Sequence, residues 1–162
     1  MELLLPKGAK PIRVLHFSDL HLHPRRKREI ADIKTFIDLK PDLVISTGDF
    51  LAHKDGVDIA LDVLDELLDL PGLFVFGSND YYAPKFKNPF SYLRKDHGER
   101  RLGEKLLWQR LQKQLIKRGW KDLNHNKVKF KVNGVLIEAR GTDDAHLELD
   151  DYGKVEGKVS KR

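Results

Sequence analysis

Hydrophobic and polar positions follow two periods along this chain, and the switches between them mark out its elements. Pro11-Ile12-Arg13-Val14-Leu15-His16-Phe17 alternates and is β-branched enough to read as a largely buried strand. Asp42-Leu43-Val44-Ile45-Ser46-Thr47 and Leu73-Phe74-Val75-Phe76 are short, near-continuous apolar runs of the kind buried in parallel sheets. Between the strands the period lengthens. Lys27 to Leu39 sets Ile30, Ile33 and Ile37 on one face with Phe36 beside them. Val57 to Leu70 lines up Leu61, Leu64 and Leu68, widens the stripe with Val63, Leu67 and Leu70, and stops at Pro71-Gly72. Glu104 to Arg118 aligns Leu107, Leu111 and Leu115, and ends at Gly119 with Lys117 and Arg118 in the last turn. These stripes predict core-facing helices.

After Trp120 the period returns to two. Val128-Lys129-Phe130-Lys131-Val132 alternates strictly, Asn133-Gly134 supplies a two-residue turn, and Val135 to Ala139 continues, which predicts a β-hairpin. Tyr81 to Gly103 follows neither period and reads as a loop.

Each of the three early strands runs into an oxygen or nitrogen ligand. The first meets Ser18-Asp19-Leu20-His21-Leu22-His23, the second Gly48-Asp49-Phe50, the third Gly77-Ser78-Asn79-Asp80. Glycine at the second and third ends lets the backbone turn tightly. One such end is ordinary turn chemistry. Three in succession, separated by helices, bring Asp, His, Asp and Asn to one rim of an α/β sheet, where such sheets place their chemistry. Carboxylate oxygens and an imidazole nitrogen can share a divalent cation.

Read together, Asp19-x-His21, Gly48-Asp49 and Gly77-Ser78-Asn79-Asp80 resemble the calcineurin-like metallophosphoesterases, from about Ile12 to about His146, and most closely a bacterial branch whose third motif reads G-S-N-D-Y-Y. The resemblance implies a two-sheet β-sandwich flanked by helices and two divalent ions, Mn, Fe or Zn. It implies that Asp19 and His21 hold the first ion, that Asp49 bridges both and that Asn79 holds the second. The activity implied is hydrolysis of a phosphate mono- or diester by a metal-activated water.

Two departures accompany the likeness. The common third motif is G-N-H-D, whose histidine serves as proton donor. Without a gap, Ser78 and Asn79 take the Asn and His positions; with one inserted residue, Asn79 stays a ligand and Asp80 replaces the histidine. The second alignment is preferred, because serine is a poor ligand for a divalent ion. Asp80, with a pKa raised by burial or a neighbouring charge, and His23 are then the candidate catalytic acids. The family also has a later lone histidine and a G-H-x-H; after Asp144 this sequence has only His146. The expectation is one incomplete phosphoesterase domain over residues 1–162, with 1–10 as a leader and 147–162 as a polar tail, truncated before the last histidine motifs. A degenerate relative with weak metal binding and no turnover, serving as scaffold or binding module, is the alternative.

Composition narrows the class without changing this picture. With 40% hydrophobic and 34% charged residues, the chain is too apolar for disorder and ordinary for a soluble domain. No cysteine is present, so any metal is held by oxygen and nitrogen. Neither a signal peptide nor a membrane span is legible, which points to the cytoplasm, with peripheral attachment to a membrane as a variant. A net charge of +5 and the run Arg25-Arg26-Lys27-Arg28 beside the first ligand turn suit anionic partners: a phosphorylated small molecule, lipid or nucleotide, or an acidic membrane surface. Specific nucleic-acid binding is not expected, since no zinc finger, helix-turn-helix or RNA-binding signature appears. Aromatics and lysines interleaved from Tyr82 to Phe90 suit either a loop that overhangs the rim and grips a phosphorylated substrate or an ordinary surface loop with a few anchoring aromatics.

Overall fold

A computed structural model describes residues 7–84 and 102–159. Its centre is a four-stranded, all-parallel sheet of β1 (Val14–Phe17), β2 (Leu43–Ser46), β3 (Gly72–Phe74) and β4 (Lys121–Asp122), in that spatial order. Helices α1 (Lys27–Lys34), α2 (Gly56–Val63), α3 (Ser78–Tyr81) and α4 (Trp108–Lys117) punctuate it. A separate antiparallel pair, β5 (Asn126–Val132) and β6 (Val135–Gly141), forms the predicted hairpin. Asn133 and Gly134 both take positive φ, 49° and 80°, as a tight hairpin turn between right-twisted strands requires.

The apolar runs divide their side chains between two cores. Val44, Phe74 and Phe76 face Ile33 of α1, Val57, Ala60 and Val63 of α2, and Leu111 and Leu115 of α4. Their neighbours Leu43, Ile45, Leu73 and Val75 face Val128, Phe130, Val132 and Ile137 of the hairpin. The parallel sheet is therefore covered on both faces, which explains why β2 and β3 are continuous rather than alternating runs. Each large side chain so buried contributes roughly 1.5–3 kcal/mol. Gly72 opens β3 because the Trp120 indole lies against it; a Cβ there would meet the ring at 2.2 Å.

The elements match the expected mixed α/β arrangement of two sheets with flanking helices, and the differences lie at their ends. The first helix tightens into a 3-10 segment at Thr35–Leu39, where the Thr35 hydroxyl donates to the Asp32 carbonyl at 2.7 Å. The second becomes irregular after Val63 and closes with a 3-10 turn at Leu67–Asp69. The third begins at Trp108, not Glu104, because the preceding backbone is used across the chain: the Ala83 N–H donates to the Glu104 carbonyl at 2.8 Å and the Leu106 N–H to the Tyr81 carbonyl at 2.9 Å.

Strand β4 was not visible in the pattern, being two polar residues recruited as an edge beside β3. The end of the described chain is docked. Val155 is buried, Arg140 donates to the carbonyls of Val155, Gly157 and Lys158, and Lys127 to that of Glu156. Among the described residues, no helix is long and apolar enough to cross a membrane.

Candidate metal centre

Parallel pairing aligns the carboxyl ends of β1, β2 and β3, so the three turns that follow share one rim. Backbone hydrogen bonds zip the first turn to the second: Asp19 N–H to Gly48 O at 3.1 Å, His21 N–H to Asp49 O at 3.0 Å and Leu22 N–H to Phe50 O at 2.8 Å. Asp19, His21 and Asp49 all sit in the left-handed region, with φ of 58°, 43° and 57°. Non-glycine residues take that conformation rarely, and such positions concentrate at functional sites.

The three side chains converge. Their ligand atoms lie within 4.8 Å of one another, with His21 Nε2 3.6 Å from Asp19 Oδ1 and 3.9 Å from Asp49 Oδ2. Two carboxylates and one imidazole form a mixed oxygen and nitrogen donor set that fits a divalent cation. Asn79 is on the far side of Asp49: its backbone N–H donates to Asp49 Oδ1 at 2.9 Å, and its side-chain amide to Asp49 Oδ2 at 2.8 Å. The four residues expected as ligands are thus contiguous. For a second ion, Asp49 and Asn79 are the expected ligands that hydrogen bonds place side by side.

Asp80 occupies a different place from an acid facing substrate. It is wholly buried, with 0% of its surface exposed. Its carboxylate accepts from the backbone N–H of Asp49 at 2.8 Å, of Gly77 at 2.9 Å and of Leu51 at 3.1 Å. Burial pushes the carboxyl up to about 7, and the Asp49 charge acts in the same direction, against the three N–H donors. The elevated pKa expected of an acid is present, but the oxygens point at the backbone of the ligand turns. That geometry makes Asp80 a positioning residue.

The next residue extends this framework, since the Tyr81 hydroxyl donates to Asp143 Oδ1 at 2.6 Å. Its burial, the Asp143 hydrogen bond and nearby carboxylates raise the phenol well above its ordinary value. Asp143 follows β6, so the contact ties the third ligand turn to the hairpin. The Gly-Thr-Asp-Asp run after a strand was the available signal for it.

Beside the rim lies a cleft of about 580 Å³ lined in part by His21, His23, Arg26, His53 and Lys54. The His23 and His53 rings stack edge to face with centroids 4.7 Å apart. His23 therefore shares the cleft with the ligand His21. His53 was not anticipated; a histidine four residues past Asp49 carries no spacing signal of its own. Of the basic run, Arg26 lines the cleft and pairs with Glu29 at 3.2 Å. The part of the aromatic and lysine loop from Lys85 to Phe90 lies outside the described residues.

A family model described as "Calcineurin-like phosphoesterase" matches residues 12–154. No curated protein matches the chain.

Proposed function

The chain belongs to the calcineurin-like phosphoesterase family, and from that membership we propose that it hydrolyses a phosphate ester, mono- or diester, with two divalent ions at the rim. The convergence of Asp19, His21 and Asp49 within 4.8 Å is the observation that carries this reading. Asp19 and His21 would hold one ion, Asp49 would be shared, and Asn79 would turn its amide oxygen toward the second. When bound, such ions supply Lewis acidity toward a phosphoryl oxygen and a water of lowered pKa.

The protein's own groups do the rest. Asp80 fixes the backbone under Asp49 and Gly77, so the ligand carboxylate keeps its place. His23 and His53 line the cleft beside the ligand turns, where an anionic ester would approach. Arg26 and Lys54 give the approach a positive potential, which raises the encounter rate of an anionic ester. Manganese, iron and zinc all suit this donor set; calcium, which prefers oxygen alone, suits it less.

Purified chain assayed on bis-p-nitrophenyl phosphate with manganese tests the proposal. Turnover that Asp49→Ala abolishes is the expected outcome. Manganese binding without turnover would instead support the second reading, a metal-binding relative without catalysis, which the lack of the usual histidine in Gly77-Ser78-Asn79-Asp80 favours.

A further inference from the structure

Two histidines outside the ligand set are prepared in the same way. The Arg25 backbone N–H donates to His23 Nδ1 at 3.1 Å, and the Asp55 backbone N–H donates to His53 Nδ1 at 3.2 Å. A nitrogen that accepts a backbone N–H needs its lone pair, so the neutral ring carries its proton on Nε2. When neutral, each ring is thus set as an Nε2–H donor by the backbone of the residue two positions on. The Asp55 carboxylate lies 3.4 Å from the same His53 Nδ1, a contact that is attractive only when that nitrogen is protonated. Both rings line the cleft, stacked edge to face, with Arg26 and Lys54 beside them and Glu104 as the one acidic residue in the lining.

Two N–H donors and two cations in one concavity, next to a site for phosphate ester chemistry, describe an anion receptor. We propose that this cleft is a subsite for a second anionic phosphate group on the substrate, held by His53 and His23 through Nε2–H with Arg26 and Lys54 supplying charge. Specificity for esters that carry a further phosphate beyond the scissile one follows. This rests on the phosphoesterase reading for the identity of the ligand, but the donors themselves are independent of any metal.

The test is a titration of the metal-free full chain with inorganic phosphate, read on the imidazole nitrogens by 15N–1H correlation spectra. The expected spectrum shows both rings with the proton on Nε2, and shifts of both Nε2 resonances on adding phosphate. His53→Ala should weaken phosphate about tenfold, the loss of one hydrogen bond to a charged acceptor. His53→Gln, whose amide N–H can stand where Nε2–H does, should recover most of that. His23→Ala gives the same test on the other ring. Protons on Nδ1, an unchanged Kd in both alanine variants, or a loss that Gln does not recover would each overturn the subsite. A wild-type chain that binds phosphate in this way yet never turns over bis-p-nitrophenyl phosphate would sink the phosphoesterase reading alone.

Discussion

Gly77 lies so close to Asp49 that a Cβ on it would meet Asp49 Oδ1 at 2.3 Å. The third turn therefore forms one wall of the pocket that holds the carboxylate proposed to be shared. Gly77→Ala must push either the carboxylate or the turn. Manganese affinity, measured by calorimetry, should fall at least about tenfold, by analogy with disturbing the outer shell of a metal ligand. An unchanged affinity would show that Asp49 does not bind metal from this position.

Asp49→Ala removes the ligand itself. Turnover of bis-p-nitrophenyl phosphate should drop at least about a hundredfold, since a first-shell group is worth more than its supports. Residual activity near the wild-type level would point to a site elsewhere.

Asp80→Ala leaves the N–H groups of Asp49, Gly77 and Leu51 without their shared acceptor, at one buried and two part-buried positions. Stability should fall by about 3–5 kcal/mol, as several buried donors lose their partner at once. Urea unfolding gives the number. A loss near zero would mean that the turns re-form around water.

The same residue predicts a pH dependence in the metal-free protein. With the folded carboxyl raised from 3.8 to about 7, the folded chain keeps a proton that the unfolded chain has already released. Its contribution to stability is thus full below the unfolded value and declines as pH rises toward the folded one. Between about pH 4 and about pH 7 this amounts to a few kcal/mol on the order of the shift. Asp80→Asn, which cannot titrate, should flatten that part of the profile. Parallel profiles for the two proteins would contradict it.

Tyr81→Phe deletes one donor to Asp143 and should cost about 1–3 kcal/mol. A thermal melt reads the loss. Manganese affinity should change little, because the hydroxyl reaches the hairpin and not the ligand set.

Much of this architecture was legible because the informative residues obey local rules. The hairpin follows from strict alternation around Asn133-Gly134, and the parallel strands from runs such as Leu43 to Ile45, apolar on both faces. The ligand turns were legible because an acid follows each of three successive strands and a glycine precedes it at two of them. Other features depend on partners distant in the chain. Asp80 reads in sequence as one more carboxylate at the rim; only the converging amides of Asp49, Leu51 and Gly77 turn it inward. His53 gains meaning from stacking on His23, thirty residues earlier, and α4 loses its first turn to pairing with Tyr81 and Ala83. Local patterns carry no record of such crossings.

Asp80 binds amides from two separate loops with one carboxylate, and this bears on how the rim moves. Neither loop can peel away by itself without breaking bonds that also restrain the other. The amides of Asp49, Leu51 and Gly77 should therefore exchange with solvent in one concerted opening, not as three independent frays. The rim would behave as a single hinged unit, admitting or releasing an ion only when both turns swing together.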